Sequence, residues 1–269
     1  MRAGLAPRSV VVSLILLLAV VAAACGESTV ESDVVTGSGG STTKTYALSG
    51  FTAVQADQGF SVAVTRGESF AVSVSAEESL IQYLEVEVRG DALYLGLDPS
   101  RTYRLATLTA EVTMPELSGV EVTRAADVFV EGFTTKGDLT FTVADAGELS
   151  IDALKAQDAT FEMSGAARLG AKLALSGALS VTARGGSQAV LAGVARSVEV
   201  KASEASVVSL QGVAARTATV ELTGASKTSV RASRTVNAAV SEASALDYYG
   251  TAELGEMNVA GTSQVQHIQ

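Results

Sequence analysis

The stretch "VEVKASEASVVSL" (residues 198–210) decides the fold, because its Ser-Glu-Ala-Ser core at 203–206 returns at 241–244 within "VNAAVSEASALDY" (236–248). A recurring Ser and Glu is either a pair of active-site groups or a ruler. Aligning the glutamate position along the chain gives Ala125, Asp145, Gly165, Gly185, Glu204, Gly224, Glu242 and Gly261, at spacings of 18–20 residues. The next residue is always small. The one after it is Ser at 187, 206, 226, 244 and 263. Two and four residues before the marker the chain is mostly apolar, as in Val143 and Phe141, Met163 and Phe161, Ala202 and Val200, Leu222 and Val220. The tetrapeptide is therefore a ruler.

A fixed period near 20 residues with internal alternation has a physical meaning. Each unit is one coil of short strands whose inward side chains cannot be covered within the unit. Stacking the next coil about 4.8 Å above covers them and completes the backbone hydrogen bonds. Small residues at the marker let the chain turn a corner. Leucine-rich repeats share this length, but their leucine and asparagine pattern is missing. The expected fold is all-β: a right-handed parallel β-helix, or β-solenoid, of about seven coils over residues 118–269.

Composition agrees. The 269 residues include 25 glycines, three prolines and no tryptophan, and Val, Ser, Thr and Gly dominate, which favours short strands and tight turns. Residues 45–117 form an N-terminal β region rich in antiparallel pairing. In it, Phe60, Val62 and Val64 alternate, then Phe70, Val72 and Val74, with Gly67 between the runs, a hairpin-like pattern. Residues 78–84 are the one short helical turn expected. A second hairpin turns at Arg89-Gly90-Asp91. That tripeptide coincides with an integrin-recognition sequence, but Gly and Asp are also what a tight turn requires.

Residues 1–24 are a targeting segment. Arg2 and Arg8 precede a 15-residue, nearly unbroken apolar run, Val10 to Ala24, too short to span a bilayer. Three alanines then lead into Cys25, the only cysteine, so no internal disulfide exists. This junction resembles a bacterial lipobox, in which the cysteine is acylated and becomes the mature N-terminus; Ala22 stands where Leu is usual. The alternative is an ordinary secretory signal. Residues 25–44, rich in Gly, Ser and Thr, read as a flexible tether. Removing the leader leaves 17 basic against 29 acidic residues, a net charge of −12. Such a chain is repelled by nucleic acid and by anionic head groups, so membrane attachment rests on the lipid.

The segments "GFTAVQADQGFSVAVTRG" (50–67), "GDALYLGL" (90–97), "MPELSGVEV" (114–122) and the serial small-residue corners resemble the head GIN domain family of auto-transporter adhesins. The resemblance covers residues 45 to 269. The family's Ser-Gly corners here read Ala-Asp-Ala-Gly, Ser-Gly-Ala-Ala and Ser-Glu-Ala-Ser. The resemblance implies a stacked all-β fold in an exported, often lipid-anchored protein. It supplies no activity, since fold does not imply function.

Groups suited to catalysis are sparse. The one histidine, His267, lies two residues from the end, and no G-x-S-x-G elbow is present. No histidine or cysteine cluster or glycine-aspartate calcium repeat points to a metal, and no cofactor is expected. Asp145, Glu204 and Glu242 share one corner row and are the candidate catalytic or ligand-contacting carboxylates. The plainer reading is solvated corners on an acidic surface. Tyr248 falls in inward register, so Tyr249 should point outward as a candidate ligand contact. The expected role is noncatalytic: a lipid-anchored extracytoplasmic module, on the periplasmic or cell-surface side, that binds a glycan, envelope polymer or surface protein. A polysaccharide lyase or glycosidase is the second reading. Self-assembly through the edge of the C-terminal coil is the third.

Overall fold

The corner comes first. In the computed structural model, which describes residues 34–104 and 106–269, Glu204 and Ala205 both have positive φ, 57° and 61°. The Ser206 N–H donates to the Ser203 carbonyl at 3.3 Å and closes the turn. Positive φ at both central residues is the mark of a type I′ turn. The same pair occurs at Gln58/Gly59, Arg124/Ala125, Asp145/Ala146, Gly165/Ala166, Gly185/Gly186, Gly224/Ala225 and Glu242/Ala243. For a residue with a Cβ this conformation costs about 1–2 kcal/mol.

The stack offsets that cost. The N–H of the second corner residue donates to the carbonyl of the first corner residue one coil on. These bonds run Ala125 to Asp145, Ala146 to Gly165, Ala166 to Gly185, Gly186 to Glu204, Ala205 to Gly224 and Ala225 to Glu242, at 2.7–3.0 Å. The ladder thus continues around the corner without a break. The third corner residue is buried, and there the recurrent serines Ser187, Ser206, Ser226 and Ser244 sit. The Ser226 N–H donates to Ser244 Oγ, and the Ser244 N–H to Ser263 Oγ, both at 3.2 Å.

Each corner joins two parallel ladders. The first runs through Ala53–Ala56, Gly119–Val122, Leu139–Val143, Ala159–Met163, Ala178–Ala183 and Ser197–Ala202, and on to Glu253–Val259. The second runs through Phe60–Arg66, Asp127–Glu131, Glu148–Ala156, Arg168–Leu175 and Gln188–Val194, and on to Gln264–Ile268. A short third ladder begins at Leu154–Ala156, after a bulge at Ala153 (φ 58°). The strands Val207–Leu222 and Lys227–Val240 bend from one ladder to another without a break. From Gly119 onward there are about eight coils, one more than expected.

Alternation sends Val54, Val120, Phe141, Phe161, Val181, Val200 and Val220 inward as one in-register column, all buried. Phe141 and Phe161 stack with ring centroids 4.8 Å apart and 11° between planes. The spacing of coils is thus also the stacking distance of their core side chains. The first marker lies at Arg124, one residue before the Ala125 expected, because Val122 pairs with Val143 and so aligns Arg124 with Asp145.

The N-terminal region is antiparallel in part, as expected. Leu84–Arg89 and Ala92–Leu97 form the hairpin turning at Gly90 (φ 65°), and Glu78–Tyr83 is a 3-10 helix with Leu80 buried. The hairpin expected between Phe60–Arg66 and Ala71–Glu77 does not form. Leu108–Met114 lies between them, parallel to the first and antiparallel to the second. Alternation fixes which side chains face inward; it does not fix which strand is the neighbour.

The tether expectation also needs correction. Leader residues 1–24 and Cys25 lie outside the described residues, but within 25–44 the chain forms Val34–Thr36 and begins Ser41–Tyr46. Ser41–Tyr46 pairs antiparallel with Ala71–Glu77. Its side chains are mostly exposed, so backbone pairing holds it and no apolar pattern announced it.

Buried Asp57 ties this region to the first regular coil. It accepts from the Gln58 N–H at 2.8 Å, Thr123 Oγ1 at 3.1 Å and the Tyr94 hydroxyl at 3.3 Å. Arg124 donates to it through both Nε and Nη2. Burial pushes the carboxyl up, but the hydrogen bond and charge of Arg124, with the hydrogen bonds of Thr123 and the Gln58 N–H, outweigh it and hold Asp57 below its ordinary value. Burial, then the charge of Asp57, pushes the Tyr94 hydroxyl up.

A folded-state pKa below the unfolded one means stability that is present above the unfolded value and lost as pH falls through the folded one. Asp57→Ala should lower unfolding free energy at neutral pH by roughly 1–3 kcal/mol, since its partners are left unpaired. The gap between denaturant titrations of the two proteins should begin to close as pH falls below about 4 and go on narrowing toward lower pH. A pH-independent gap would show that the loss is packing alone. At the corner, Ala205→Val should destabilise by about 1–3 kcal/mol, because a branched side chain tolerates positive φ poorly. Ala205→Gly should be neutral or stabilising in the same thermal melts.

Candidate functional site

Asp145, Glu204 and Glu242 occupy the first position of their corners, on one row, as the repeat predicted. Gly165 and Gly185 separate Asp145 from Glu204, and Gly224 separates Glu204 from Glu242. The row does not gather them into a pair. The Glu242 carboxylate turns back one coil and accepts the Gly224 N–H at 2.9 Å. Glu204 leans the same way: a Cβ placed on Gly185 would lie 3.9 Å from its Oε2. Each glutamate thus fills the space over the glycine before it. This arrangement serves backbone hydrogen bonding; it places no acid and base on opposite sides of a substrate bond.

Tyr248 is buried, and its ring stacks on His267 at 4.6 Å between centroids. His267 Nε2 lies 3.0 Å from the Gly250 carbonyl oxygen. Tyr249 is half-buried and points outward as expected, with the Arg231 guanidinium 5.8 Å from its ring centroid. Arg89, the first residue of the Arg-Gly-Asp turn, is held by Glu87 at 2.7 Å and Glu85 at 3.0 Å and lies 3.6 Å from the Tyr94 ring centroid. Cys25 lies outside the described residues. Among those described, no group of three or more His, Cys, Asp or Glu is placed to hold a metal ion.

Two concavities occur where the N-terminal strands join the coils. One, of about 1010 Å³, opens below the start of the third ladder, among Arg66, Glu68, Glu116, Glu131 and Lys136. The other is a groove of about 320 Å³ lined by Thr43, Ser61, Ser73, Ser75, Thr109 and Glu111. Five strands build the face on which this groove lies. Their outward residues form two rows: Thr43, Ser75, Thr109, Ser61, Asp127 and Thr45, Ser73, Glu111, Ala63, Phe129. Thr43 Oγ1 and Ser75 Oγ are 2.7 Å apart and share a hydrogen bond.

Sequence reasoning missed this face for two reasons. Residues 41–44 read as part of the tether, and Tyr249 is the aromatic that the sequence offers as a ligand contact. The signal was available in "DVFVE", where Val128 and Val130 in inward register force Phe129 outward.

No curated protein sequence matches the chain. Solved structures of the same fold do. A "putative adhesin" from Parabacteroides merdae is 18% identical with a TM-score of 0.81, covering 88% of this chain and all of that one. A "putative lipid binding protein" from Parabacteroides distasonis is 17% identical with a TM-score of 0.79 and the same coverage. A "putative adhesin" from Bacteroides fragilis is 18% identical with a TM-score of 0.62, covering 87% and 100%. These likenesses concern the fold. The sequence itself matches a family over residues 50–252, the corners and most of the coils included, so the chain belongs to the family described as "Putative auto-transporter adhesin, head GIN domain".

Proposed function

We propose that the protein is a noncatalytic binding or adhesion module of the bacterial cell envelope, attached to the membrane by a lipid on Cys25. The observation that carries this reading is the division of labour among its side chains. The glutamates of the corner row engage or cover backbone, while the ladders present outward side chains at a fixed spacing of about 4.8 Å from coil to coil. Such a surface suits a repetitive partner, a glycan or envelope polymer, better than a reaction centre. The family description and the adhesins of similar fold support the same role. The leader at 1–24 and the alanines before Cys25 support export and acylation. The acidic charge disfavours nucleic acid as a partner.

A second reading has an observation of its own. Among the described residues, Glu253–Val259 and Gln264–Ile268 each pair on one side only, and Leu254 and Val259 are 50% and 46% exposed. An open edge with uncovered apolar groups favours self-association through the last coil.

Soluble Glu27–Gln269 incubated with an array of bacterial and host polysaccharides should retain one class without releasing new chain ends. New chain ends would overturn the noncatalytic reading and return attention to Asp145, Glu204 and Glu242. In cells, Cys25→Ala should shift the protein from the membrane to the soluble fraction and abolish incorporation of labelled fatty acid. Unchanged membrane attachment would exclude the lipid anchor. Sedimentation that is independent of protein concentration would remove the self-association reading.

A further inference from the structure

The outward face at the N-terminal end of the second ladder takes no part in the core, the Asp57 clamp or the corners. Phe129 stands on it, 41% exposed, the one aromatic among the large exposed apolar residues described. Its neighbours in register are Ala63 on one side and Ser150 on the other, with Gly170 one coil beyond. Small residues on both sides leave the ring standing clear of its surroundings.

Carboxylates frame the ring. Asp127 and Glu131 flank it on its own strand and pair in register with Glu148 and Asp152 on the next coil. Glu111 lies in the same outward row, across Ala63. Among these five only Asp152 is engaged by a cation, Lys172 Nζ at 3.0 Å. On the other side of Ala63 the 320 Å³ groove begins, lined by hydroxyls. The four strands from Ser61 to Thr43 span about 14 Å at ordinary strand spacing.

These features select a ligand chemistry. The face of a phenyl ring attracts a cation, a ligand ammonium included. The surrounding carboxylates add charge complementarity, and the net acidic charge of the protein draws a cation from a distance. A lone amine would leave the groove unused. A chain of sugars fills it, its hydroxyls exchanging hydrogen bonds with Thr43, Ser61, Ser75 and Thr109. We infer that this face binds an oligosaccharide bearing free amines, its ammonium on Phe129 between the carboxylates and its sugar rings along the hydroxyl groove. The inference rests on the binding-module reading and names its ligand class and its site.

The test is calorimetric titration of the purified protein at low salt and about pH 6, where carboxylates are ionised. The probes are the glucosamine tetramer, the N-acetylglucosamine tetramer and tetralysine. The glucosamine tetramer should bind at least ~10-fold more tightly than its acetylated counterpart, because acetylation removes the charge. Phe129→Ala should weaken it roughly 5–10-fold, the scale of one aromatic–cation contact. Glu111→Gln should weaken it about 3-fold and flatten its salt dependence. Glu256→Gln, on the last coil, should change nothing. Both altered side chains near the groove are exposed, and unchanged melting curves verify the fold. Equal binding by wild type, Phe129→Ala and Glu111→Gln would overturn the site. Tighter, Phe129-dependent binding of tetralysine would overturn the sugar in favour of a basic protein. No binding of the glucosamine tetramer, with another glycan retained on the array, would overturn this assignment and leave the binding module standing.

Discussion

From the corner at Gln58 to the corner at Glu242, each coil passes from the first ladder to the second through two residues of positive φ, and the rest of the molecule depends on that passage. The conformation is unfavourable for Asp145, Glu204 or Glu242 in isolation. At Asp145 and Glu204 it persists because the N–H of the second corner residue, Ala146 or Ala205, meets a carbonyl of the next coil at 2.8 or 2.7 Å. A corner is therefore stable only inside a stack, and one coil cannot form alone. This is the near-neighbour logic of repeat folds. It explains why the corner tolerates Asp, Glu, Gly or Arg at its first position but keeps Ala or Gly at its second throughout the inner coils.

A stack of this kind must begin somewhere. Leu84–Arg89 and Ala71–Glu77 run antiparallel along the outer strands of the two ladders, and Ser41–Tyr46 extends the second of these by one more strand. The Asp57 cluster joins the corner at Gln58 to the corner at Arg124 and to Tyr94 of the first ladder. The first coil is thus pinned by a buried, fully bonded carboxylate where later coils use repetition alone. The five-strand face carrying Phe129 is a by-product of this start, since there the antiparallel strands Ser41–Tyr46 and Ala71–Glu77 extend the second ladder.

The chemistry of the surface follows from the same geometry. Side chains that point outward from a parallel stack recur in fixed columns, so charge and hydroxyl groups are displayed as rows. Rows suit extended, repetitive partners. A reaction centre needs groups converging from different directions on one point, and the corner row does not converge.

Much of this was legible in the residues. The spacing of 18–20 residues, the small residues at each corner and the alternating apolar positions announce stacked coils, and Phe141, Phe161, Val200 and Val220 are buried as that pattern requires. The 3-10 turn at Glu78–Tyr83 and the hairpin at Gly90 were equally readable from local residue types. Other features were not. Ser41–Tyr46 pairs through its backbone and buries almost nothing, so it left no hydrophobic trace. Leu108–Met114 slips between two strands whose alternation reads as a hairpin. The Asp57–Arg124 pairing joins residues 67 apart in the chain. By itself, the sequence determined the period, the corners and the inward face, because these are local and repeat. Only the tertiary structure decided which strands are neighbours at the start of the stack, and hence where the hydroxyl groove and Phe129 meet, because backbone pairing is blind to the side chains that pattern a sequence.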